Sequence, residues 1–504
     1  MAVAATCLGF MAGAETLVMA PGGSVSSISS AVQEKPISMS TPACAAFKEQ
    51  IQPKLGDGAS KTDQLVVLRN GQKVFDWSDG VVKKDSPHEM WSVSKTIAAT
   101  LIGTAIQEGK IKLDDPIANY FPELVTDKKV DHAMFNKIKI RDLLAMTSGF
   151  QWTESALKST KAQSDLPFLY SEGYPDLVKY ISHLRFASEP GKKWNYSSVN
   201  AVLEMAIIRK VYGADASDMP WNNLFRQLDI KSARFEKDRS GTYVGSAFAH
   251  LSAEDLAKVG QLYLNDGVWN GKRLLPEGWV DSVSKKLVPQ SSSTAKQRSD
   301  FGDLGPYSAG SFWLNMPVKG VGKPFPHLPE NAYFASGLFG QGLIVLPEQN
   351  IVIARTGHND PGVEPHYDEI VANAMKCFAP EDFGTPKGAP IQINDPLQLP
   401  DPSAAIEEIS GLNYLLSNGI LSGMLAKELC SCHFVENLSV SECLSRGPVP
   451  TLAANLLSDI DTDDKNKMVT LNPRTTNAPA QARFNTRAPR EGCKLTYGHA
   501  DMPK

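Results

Sequence analysis

Beyond its first twenty residues, the chain has no uninterrupted apolar stretch long enough to cross a membrane. Its formal net charge is only −4 over 504 residues, with acidic and basic residues spread along the chain, so it lacks a field that would attract nucleic acid or an anionic membrane. It also lacks the C-x-x-C pairs and the H-E-x-x-H motif typical of zinc sites. We therefore expect no nucleic-acid partner, no membrane span and no metal.

Positive charge is absent from the start of the chain, where the first basic residue is Lys35. The first twenty residues, MAVAATCLGFMAGAETLVMA, are mostly apolar and end in small residues, as a secretory signal peptide does. We expect residues 1–40 to form a signal peptide and a leader; the alternative is a buried N-terminal helix of a cytoplasmic protein. Removal of Cys7 with the signal leaves an even number of cysteines, which suits a periplasmic or secreted protein with disulfides.

The next part of the chain has the patterns of an antiparallel sheet covered by helices. QLVVLRNGQKVFDW contains two β-rich runs joined by Asn70-Gly71, which predicts a tight hairpin. NAYFASGLFGQGLIVLPEQNIVIARTGH predicts three further strands, and helical patterns surround both blocks. We predict a mixed α/β (α+β) domain over 41–380, with an antiparallel β-sheet flanked by helices and a mainly helical insertion at about 124–243.

The composition changes after this domain. Residues 381–403 are rich in proline and too long for an ordinary loop, which predicts a linker. Residues 404–504 hold Cys430, Cys432, Cys443 and Cys493. They predict a small separate module, stapled by disulfides if the protein is exported.

A serine three residues before a lysine opens the segment MWSVSKTIAATLIG. The apolar residues cover nearly the whole circumference of a helix, which predicts a buried helix ended by Gly109. Ser92 and Lys95 then share one face, and a buried lysine with a lowered pKa can take the proton of a serine hydroxyl. The alternative is that Ser92 only caps the helix.

The neighbouring phrases extend this motif into a family resemblance. WSVSKT is similar to the nucleophile motif of the serine hydrolases that include penicillin-binding proteins, class C β-lactamases and related esterases. GKIKLDDPIANYFPEL, IRDLLAMTSGF and LSAEDLAKVGQLYLNDGVWNGKRLLPEGW follow in the order of that family, so the resemblance covers roughly Cys44 to Phe378. LLAMTSG, YSSVN and the later GQ most resemble the branch of esterases and 6-aminohexanoate-dimer hydrolases. The resemblance implies a β-lactamase/transpeptidase-like fold.

The second element of the family is a tyrosine two residues before an asparagine or serine, which WNYSSVN supplies as Tyr196 and Ser198. The resemblance implies that Tyr196 faces Ser92 and Lys95. A phenol beside an ammonium is shifted toward phenolate and can move protons to and from the serine. The alternative is an ordinary packed tyrosine of a loop.

Two places compete for the third element, Lys-Thr-Gly or a variant of it on a strand beside the site. Ala335-Ser336-Gly337 occupies the family's place before the final hairpin, whereas Arg355-Thr356-Gly357 is closer in its letters. We prefer the first, which implies an oxyanion hole made by the backbone N–H groups of Ser92 and Leu338. The candidates for substrate binding are then Ser198, Ser336, Gly337 and Gln341.

This choice bears on the substrate. Penicillin-recognising members of the family pair a cationic strand residue with a substrate carboxylate, and Ala335 cannot do so. The choice argues against β-lactams and peptidoglycan stems, unless Arg355 reaches the cleft.

The resemblance also suggests two disulfides. The helices that carry Cys44 and Cys377 pack together in this fold, so a bridge between them fits an exported protein. The C-terminal residues resemble a small module of some related esterases, with C-S-x-x-F-V near its start and G-C-x-L near its end, which makes Cys430 and Cys493 a candidate pair. In those relatives the module precedes the catalytic domain, whereas here it follows.

Together these residues predict a serine hydrolase that forms an acyl-enzyme at Ser92, with Lys95 and Tyr196 as base and acid. Its substrates are small-molecule esters or unstrained amides, and it needs no cofactor. The alternatives are a β-lactamase or D-alanyl-D-alanine peptidase and, from another class, a catalytically silent binding module.

Overall fold

The structure is a computed structural model that describes residues 41–51, 61–154, 164–171, 174–284, 307–317, 322–359, 363, 365–382, 420–446, 458–473 and 480–497. All of them belong to one compact unit. The predicted leader at 1–40 and nearly all of the predicted linker at 381–403 lie outside the described residues. No helix of these ranges combines the length and the apolarity needed to cross a bilayer.

Strands flank a long helical region. The strands are β1 (Thr62–Arg69), β2 (Gln72–Ser78), β3 (His88–Glu89), β4 (Arg234–Phe235), β5 (Ala249–Leu251), β6 (Val268–Trp269), β7 (Lys272–Arg273), β8 (Trp313–Leu314), β9 (Tyr333–Gly337), β10 (Gln341–Leu346), β11 (Ile351–Gly357), β12 (Ser458–Asp463), β13 (Met468–Pro473), β14 (Ala480–Phe484) and β15 (Cys493–Tyr497). The helices are α1 (Pro42–Ile51), α2 (Val93–Gln107), α3 (Pro122–Val125), α4 (His132–Phe135), α5 (Ile140–Leu144), α6 (Asp165–Tyr170), α7 (Leu177–Ser182), α8 (Ser198–Tyr212), α9 (Ala253–Leu264), α10 (Trp279–Ser284), α11 (Tyr367–Phe378), α12 (Ile420–Cys430) and α13 (Val440–Cys443). Single turns of 3₁₀-helix or π-helix lie at Ile117–Tyr120, Gly213–Ser217, Trp221–Phe225, Leu338–Gly340, Pro380–Asp382, Ser431–Val435 and Pro489–Glu491.

Six antiparallel strands form the central sheet, in the order β2-β1-β11-β10-β9-β8. Asn70 and Gly71 join the first two strands with φ angles of 49° and 74°, the conformation of the tight hairpin turn that this dipeptide favours. β1 also pairs with β11, where Leu65 lies opposite Arg355. The early hairpin and the late strands thus share one sheet, which confirms the predicted antiparallel architecture.

Helices pack on both faces of this sheet. On one face, Gly260 of α9 lets the helix approach closely, because a Cβ there would lie 2.6 Å from Val352 and 2.8 Å from Leu343. On the other face, the Phe75 ring packs edge-on against Phe47 of α1, with centroids 5.0 Å apart. The sheet is therefore buried between helices, as its apolar runs predict.

Helix α2 lies in the centre of the molecule. Its residues from Val93 to Ala105 are buried on every side of the helix. Gly103 lies close to the start of α10 and to the segment before it, because a Cβ there would lie 3.0 Å from Trp279 and 2.9 Å from Leu275. The helix ends before Gly109, whose φ of 70° suits a glycine. Packing along the whole of α2 consequently fixes the position of its first turn.

The residues after 420 form a helix packed on a second antiparallel sheet. This sheet has the order β12-β13-β14-β15, and α12 contacts its last three strands. Lys427 of α12 is fully buried, with its ammonium 2.5 Å from the Glu236 carboxylate. Glu428 accepts a hydrogen bond from the Tyr170 hydroxyl at 2.9 Å. The C-terminal residues thus contact the rest of the unit through buried polar groups, and the predicted domain boundaries remain predictions.

Three disulfides lie within the described residues. They join Cys44 with Cys377, Cys430 with Cys493, and Cys432 with Cys443. The first joins α1 to α11, and the other two lie within the C-terminal residues. The two pairings suggested by the resemblance are present, and the third is an addition to them.

Candidate active site

Ser92 stands at the N-terminus of α2. The preceding residue, Trp91, has a left-handed conformation with φ of 47°, which turns the chain from β3 into the helix. The Ser92 side chain makes no capping hydrogen bond to the helix backbone. Its Oγ instead accepts a hydrogen bond from Lys95 Nζ at 3.2 Å. The Ser92 hydroxyl therefore contacts Lys95 and does not cap the helix.

The Lys95 ammonium is enclosed, with only 2% of the side chain exposed. Besides Ser92 Oγ, its Nζ donates to the Ser246 carbonyl oxygen at 3.1 Å and to Glu154 Oε1 at 3.4 Å. Three acceptors converge on one cation, so the ammonium is held in a fixed position beside the serine hydroxyl.

Tyr196 contacts both of these residues from the loop that leads into α8. Its ring centroid lies 4.8 Å from Lys95 Nζ, and its hydroxyl hydrogen-bonds with Ser92 and Lys95. Three further aromatic residues pack around the ring: Trp194, Tyr307 and Trp313. The Trp313 ring is stacked on it at 5.6 Å, so the phenol is buried and oriented by its neighbours.

The protons of Lys95 and Tyr196 are both held tightly. Burial lowers the pKa of Lys95, but the interactions with Tyr196 and Glu154 outweigh it and raise the pKa above its ordinary value. Burial raises the pKa of Tyr196 by more than Lys95 lowers it. The expected lowering of the lysine pKa and the expected shift toward phenolate are therefore both wrong, because the resting site holds an ammonium and a phenol.

Glu154 is a carboxylate of this site that the sequence reasoning missed. Its Oε2 accepts hydrogen bonds from Trp152 Nε1 at 2.6 Å and from the Ser198 backbone N–H at 2.7 Å. Its Oε1 accepts from the Ser198 hydroxyl as well as from Lys95. Ser198 is itself buried, and its hydroxyl is engaged with Glu154. The predicted contact of this hydroxyl with a substrate does not fit that position.

The end of β9 lies against the turn that precedes α2. A Cβ on Gly337 would lie 2.5 Å from the Met90 carbonyl oxygen and 3.3 Å from the Ser92 nitrogen, so this approach requires glycine. Leu338 follows Gly337 directly, and 39% of the leucine is exposed. Ser336, just before, is partly exposed. These residues can border a substrate that reaches the Ser92 hydroxyl.

A tight turn follows Leu338, and Arg355 supports it from β11. Phe339 and Gly340 have φ angles of 62° and 94°. The fully buried Arg355 donates to the Gly340 carbonyl oxygen, to Thr62 Oγ1 at 2.9 Å and to Asn359 Oδ1 at 2.9 Å. Arg355 therefore does not reach the cleft but holds the turn beside it.

Gln341 supports the same turn. Its side chain is fully buried, and its Nε2 donates to the carbonyl oxygens of Leu338 at 3.2 Å and Gly357 at 2.7 Å. Its Oε1 accepts from the Gly357 N–H at 3.1 Å. The prediction that Gln341 contacts substrate does not fit this position, because the amide is engaged with the main chain.

A second acid interacts electrostatically with Lys95. Glu204 of α8 is fully buried, and both carboxyl oxygens are without a hydrogen-bond partner among the described residues. Burial raises the pKa of Glu204 well above its ordinary value against the opposing effect of the Lys95 charge, so this acid is neutral. Within the described part of the chain, no group of His, Cys, Asp and Glu is arranged to hold a metal ion.

Comparison with known proteins agrees with the motif order and the fold. Residues 47–373, more than half of the chain, match the family described as Beta-lactamase. A 6-aminohexanoate-dimer hydrolase from Paenarthrobacter ureafaciens is 27% identical over 229 residues, which cover 44% of this chain and 57% of that protein. A β-lactamase from Pseudomonas fluorescens is 31% identical over 145 residues, or 27% of this chain and 34% of that protein.

A solved structure shows the same fold at low identity. A family VIII carboxylesterase is 16% identical with a TM-score of 0.50, and the alignment covers 67% of this chain and 98% of that chain. The match to the hydrolase spans little more than half of that relative's length. On the family match and the shared fold, the chain belongs to the β-lactamase family.

Proposed function

We propose that this protein is a serine hydrolase that forms an acyl-enzyme at Ser92 with carboxylic esters or unstrained amides. The observation that carries the proposal is the contact between Ser92 Oγ and Lys95 Nζ at 3.2 Å, with the Tyr196 hydroxyl bonded to both. A nucleophile, an enclosed cation and a phenol within one hydrogen-bonded group can supply the attacking oxygen and the proton transfers of an acyl transfer.

The reaction begins from the form of the site that has lost one proton. The Tyr196–Lys95 pair then accepts the Ser92 proton as Oγ attacks the substrate carbonyl carbon. The backbone N–H groups of Ser92 and Leu338 stabilise the resulting oxyanion. Collapse expels the alcohol or amine, which takes the proton back from the pair. Water then attacks the acyl carbon and gives a proton to the same pair; the acyl–Oγ bond breaks, Ser92 Oγ takes the proton from the pair, and the carboxylic acid is released.

The residues beside the site favour esters and unstrained amides over β-lactams. Ala335 offers no cation for a substrate carboxylate, and the guanidinium of Arg355 is buried under the turn at Gly340. The relative named 6-aminohexanoate-dimer hydrolase is in accord with a substrate of this kind.

We place the enzyme outside the cytoplasm, in the periplasm or secreted. Three disulfides are formed by the six cysteines that follow Cys7. Structural disulfides persist in oxidising compartments, and residues 1–40 supply the signal peptide and leader in this proposal. Sequencing the N-terminus of the protein recovered from culture medium or periplasm tests the cleavage.

The test of the function is intact mass after incubation with a fluorophosphonate and, separately, with a penicillin. We expect one fluorophosphonate adduct on the wild type, none on Ser92→Ala, and an unchanged adduct on the matched control Ser86→Ala. An adduct with penicillin would move the protein to the β-lactamase or D-alanyl-D-alanine peptidase class. No adduct with either reagent would make it a catalytically silent binding module.

A further inference from the structure

A cavity of about 60 Å³ lies where the C-terminal residues meet the central domain. A single enclosed water needs a cavity volume of roughly 10–15 Å³ by the same measure, so this cavity has room for a small organic molecule. Its central-domain wall includes His88, Glu89, Trp91, Phe339 and His358, and its C-terminal wall includes Glu428, Glu436 and Arg446. Neither Ser92 nor Lys95 lines it, so the cavity is separate from the proposed nucleophile.

Two acids of this cavity are buried. Glu89 is 3% exposed and Glu428 is 6% exposed. Glu89 Oε1 has no hydrogen-bond partner among the described residues, although it is enclosed. A buried acceptor without a donor costs free energy, so this atom marks a place where a donor is missing.

The cations around the cavity are engaged with other carboxylates. His88 Nε2 lies 2.9 Å from Asp63 Oδ2, and Arg446 binds Asp63 at 2.7 Å and Asp79 at 2.8 Å. Lys427 forms its ion pair with Glu236. Glu428 accepts from the Tyr170 hydroxyl and hydrogen-bonds with Glu89, which leaves Glu89 Oε1 as the acceptor of this pair without a donor among the described residues.

We propose that this cavity is a binding site for a small protonated amine. Its N–H groups would donate to Glu89 Oε1 and to Glu428, and its charge would lie against the rings of Trp91 and Phe339. These rings meet edge-on with centroids 5.1 Å apart. A metal ion is a poorer occupant, since no metal-holding group of side chains occurs in the described ranges.

An occupant of this cavity touches both sides of the proposed oxyanion hole. Trp91 directly precedes Ser92, and Phe339 directly follows Leu338. A bound amine packs against both rings and restrains the two backbone segments. Binding itself is independent of the proposed function, whereas the effect on turnover rests on it.

Binding should depend on pH. Burial raises the pKa of both Glu89 and Glu428, so the pair holds a proton near neutral pH, and a cation that binds there displaces it. The other charged or titratable groups that face the pair are Lys427, Glu236, Glu436, His88 and Tyr170. The amine therefore binds more tightly at pH 8 than at pH 6.

Isothermal titration calorimetry of the full chain with methylammonium chloride tests the proposal. We expect saturable binding, at least about tenfold weaker for potassium ion and for tetramethylammonium, which carry the charge without N–H groups. Proton release is measured by repeating the titration in buffers of different ionisation enthalpy. Equal binding of potassium would assign the site to an alkali ion and overturn the proposal, as would the absence of saturable heat.

Neutral variants locate the site. Glu89→Gln should weaken methylammonium binding at least about tenfold, and Glu348→Gln, on an exposed turn, should leave it unchanged. Where Glu89→Gln fails to fold, Glu428→Gln serves the same purpose. Unweakened binding in either folded variant would overturn the proposal. The fluorophosphonate labelling rate, measured with and without methylammonium, reports separately on Ser92.

Discussion

The Glu154 carboxylate lies between Lys95 and Ser198, with Oε1 3.4 Å from Lys95 Nζ. This anion stabilises the ammonium form of Lys95 and opposes ionisation of Tyr196. It therefore favours the protonated resting form of the site. Activation of Ser92 requires the loss of one of these protons.

Turnover should consequently rise with pH through the alkaline range. In Glu154→Gln the anion is gone, so the pKa values of Lys95 and Tyr196 fall and the rise of kcat/KM moves to lower pH by about one unit. The pH profile of ester hydrolysis measures this shift. Glu189→Gln, which removes an exposed carboxylate paired with Lys137, should leave the profile in place. An unmoved profile in Glu154→Gln would show that its charge does not control the pair.

Tyr196→Phe should lower kcat by about 10²-fold or more, because the hydroxyl that bonds with Ser92 and Lys95 is lost. The ring that stacks on Trp313 is kept, so the melting temperature should change little. Kinetics and thermal unfolding measured on one preparation separate these effects. Tyr307→Phe, from the same aromatic cluster, is the matched control and should keep kcat within about threefold. Equal losses in both variants would point to packing rather than proton transfer.

Arg355→Lys should destabilise the protein by about 2 kcal/mol and lower kcat at least about tenfold, because lysine cannot replace the donors that reach Gly340 and Asn359. Chemical unfolding and steady-state kinetics measure the two effects. Arg141→Lys, at an exposed ion pair with Asp114, should change neither. A destabilised variant with wild-type kcat would show that the turn held by Arg355 does not affect catalysis.

His88 should make the stability depend on pH. Burial lowers its pKa, but the charge of Glu436 and the hydrogen bond to Asp63 outweigh burial and raise it from 6.5 to about 9. The stabilisation is therefore fully present below pH 6.5 and is lost as pH rises through 9, by on the order of 3 kcal/mol.

Urea unfolding at pH 6, 7.5 and 9 measures this loss. His88→Gln should be less stable than wild type at pH 6 and should lack most of the pH dependence. His132→Gln, which removes a ring hydrogen-bonded to the Asp127 carbonyl oxygen, should retain it. A wild-type slope in His88→Gln would assign the dependence to other groups.

The sequence predicted the parts of the fold that rest on local rules. Asn70-Gly71 specifies its hairpin, and the uniformly apolar circumference of α2 requires burial. The order of strands in the sheet is a long-range property that no local pattern specifies, and it was not predicted.

The site was predictable where short motifs carry it. Ser92 and Lys95 are one helical turn apart, and Tyr196 stands in a recognisable phrase. Glu154 has only a weak signal, an isolated acid in GFQWTES after the family phrase LLAMTSG. Its distance from Lys95 depends on how the loop folds, so its upward effect on the Lys95 pKa could not be read from the motif. For Tyr196, burial raises the pKa by more than the lysine charge lowers it.

The contacts of the last part of the chain set an order for folding during synthesis. Glu436 accepts from the Glu89 N–H of β3 at 3.0 Å, and Arg446 binds Asp63 of β1, so partners of both strands lie hundreds of residues downstream. A nascent chain that has exposed everything up to Phe378 still lacks them. The turn that carries Ser92 reaches its final packing only after residue 446 has left the ribosome.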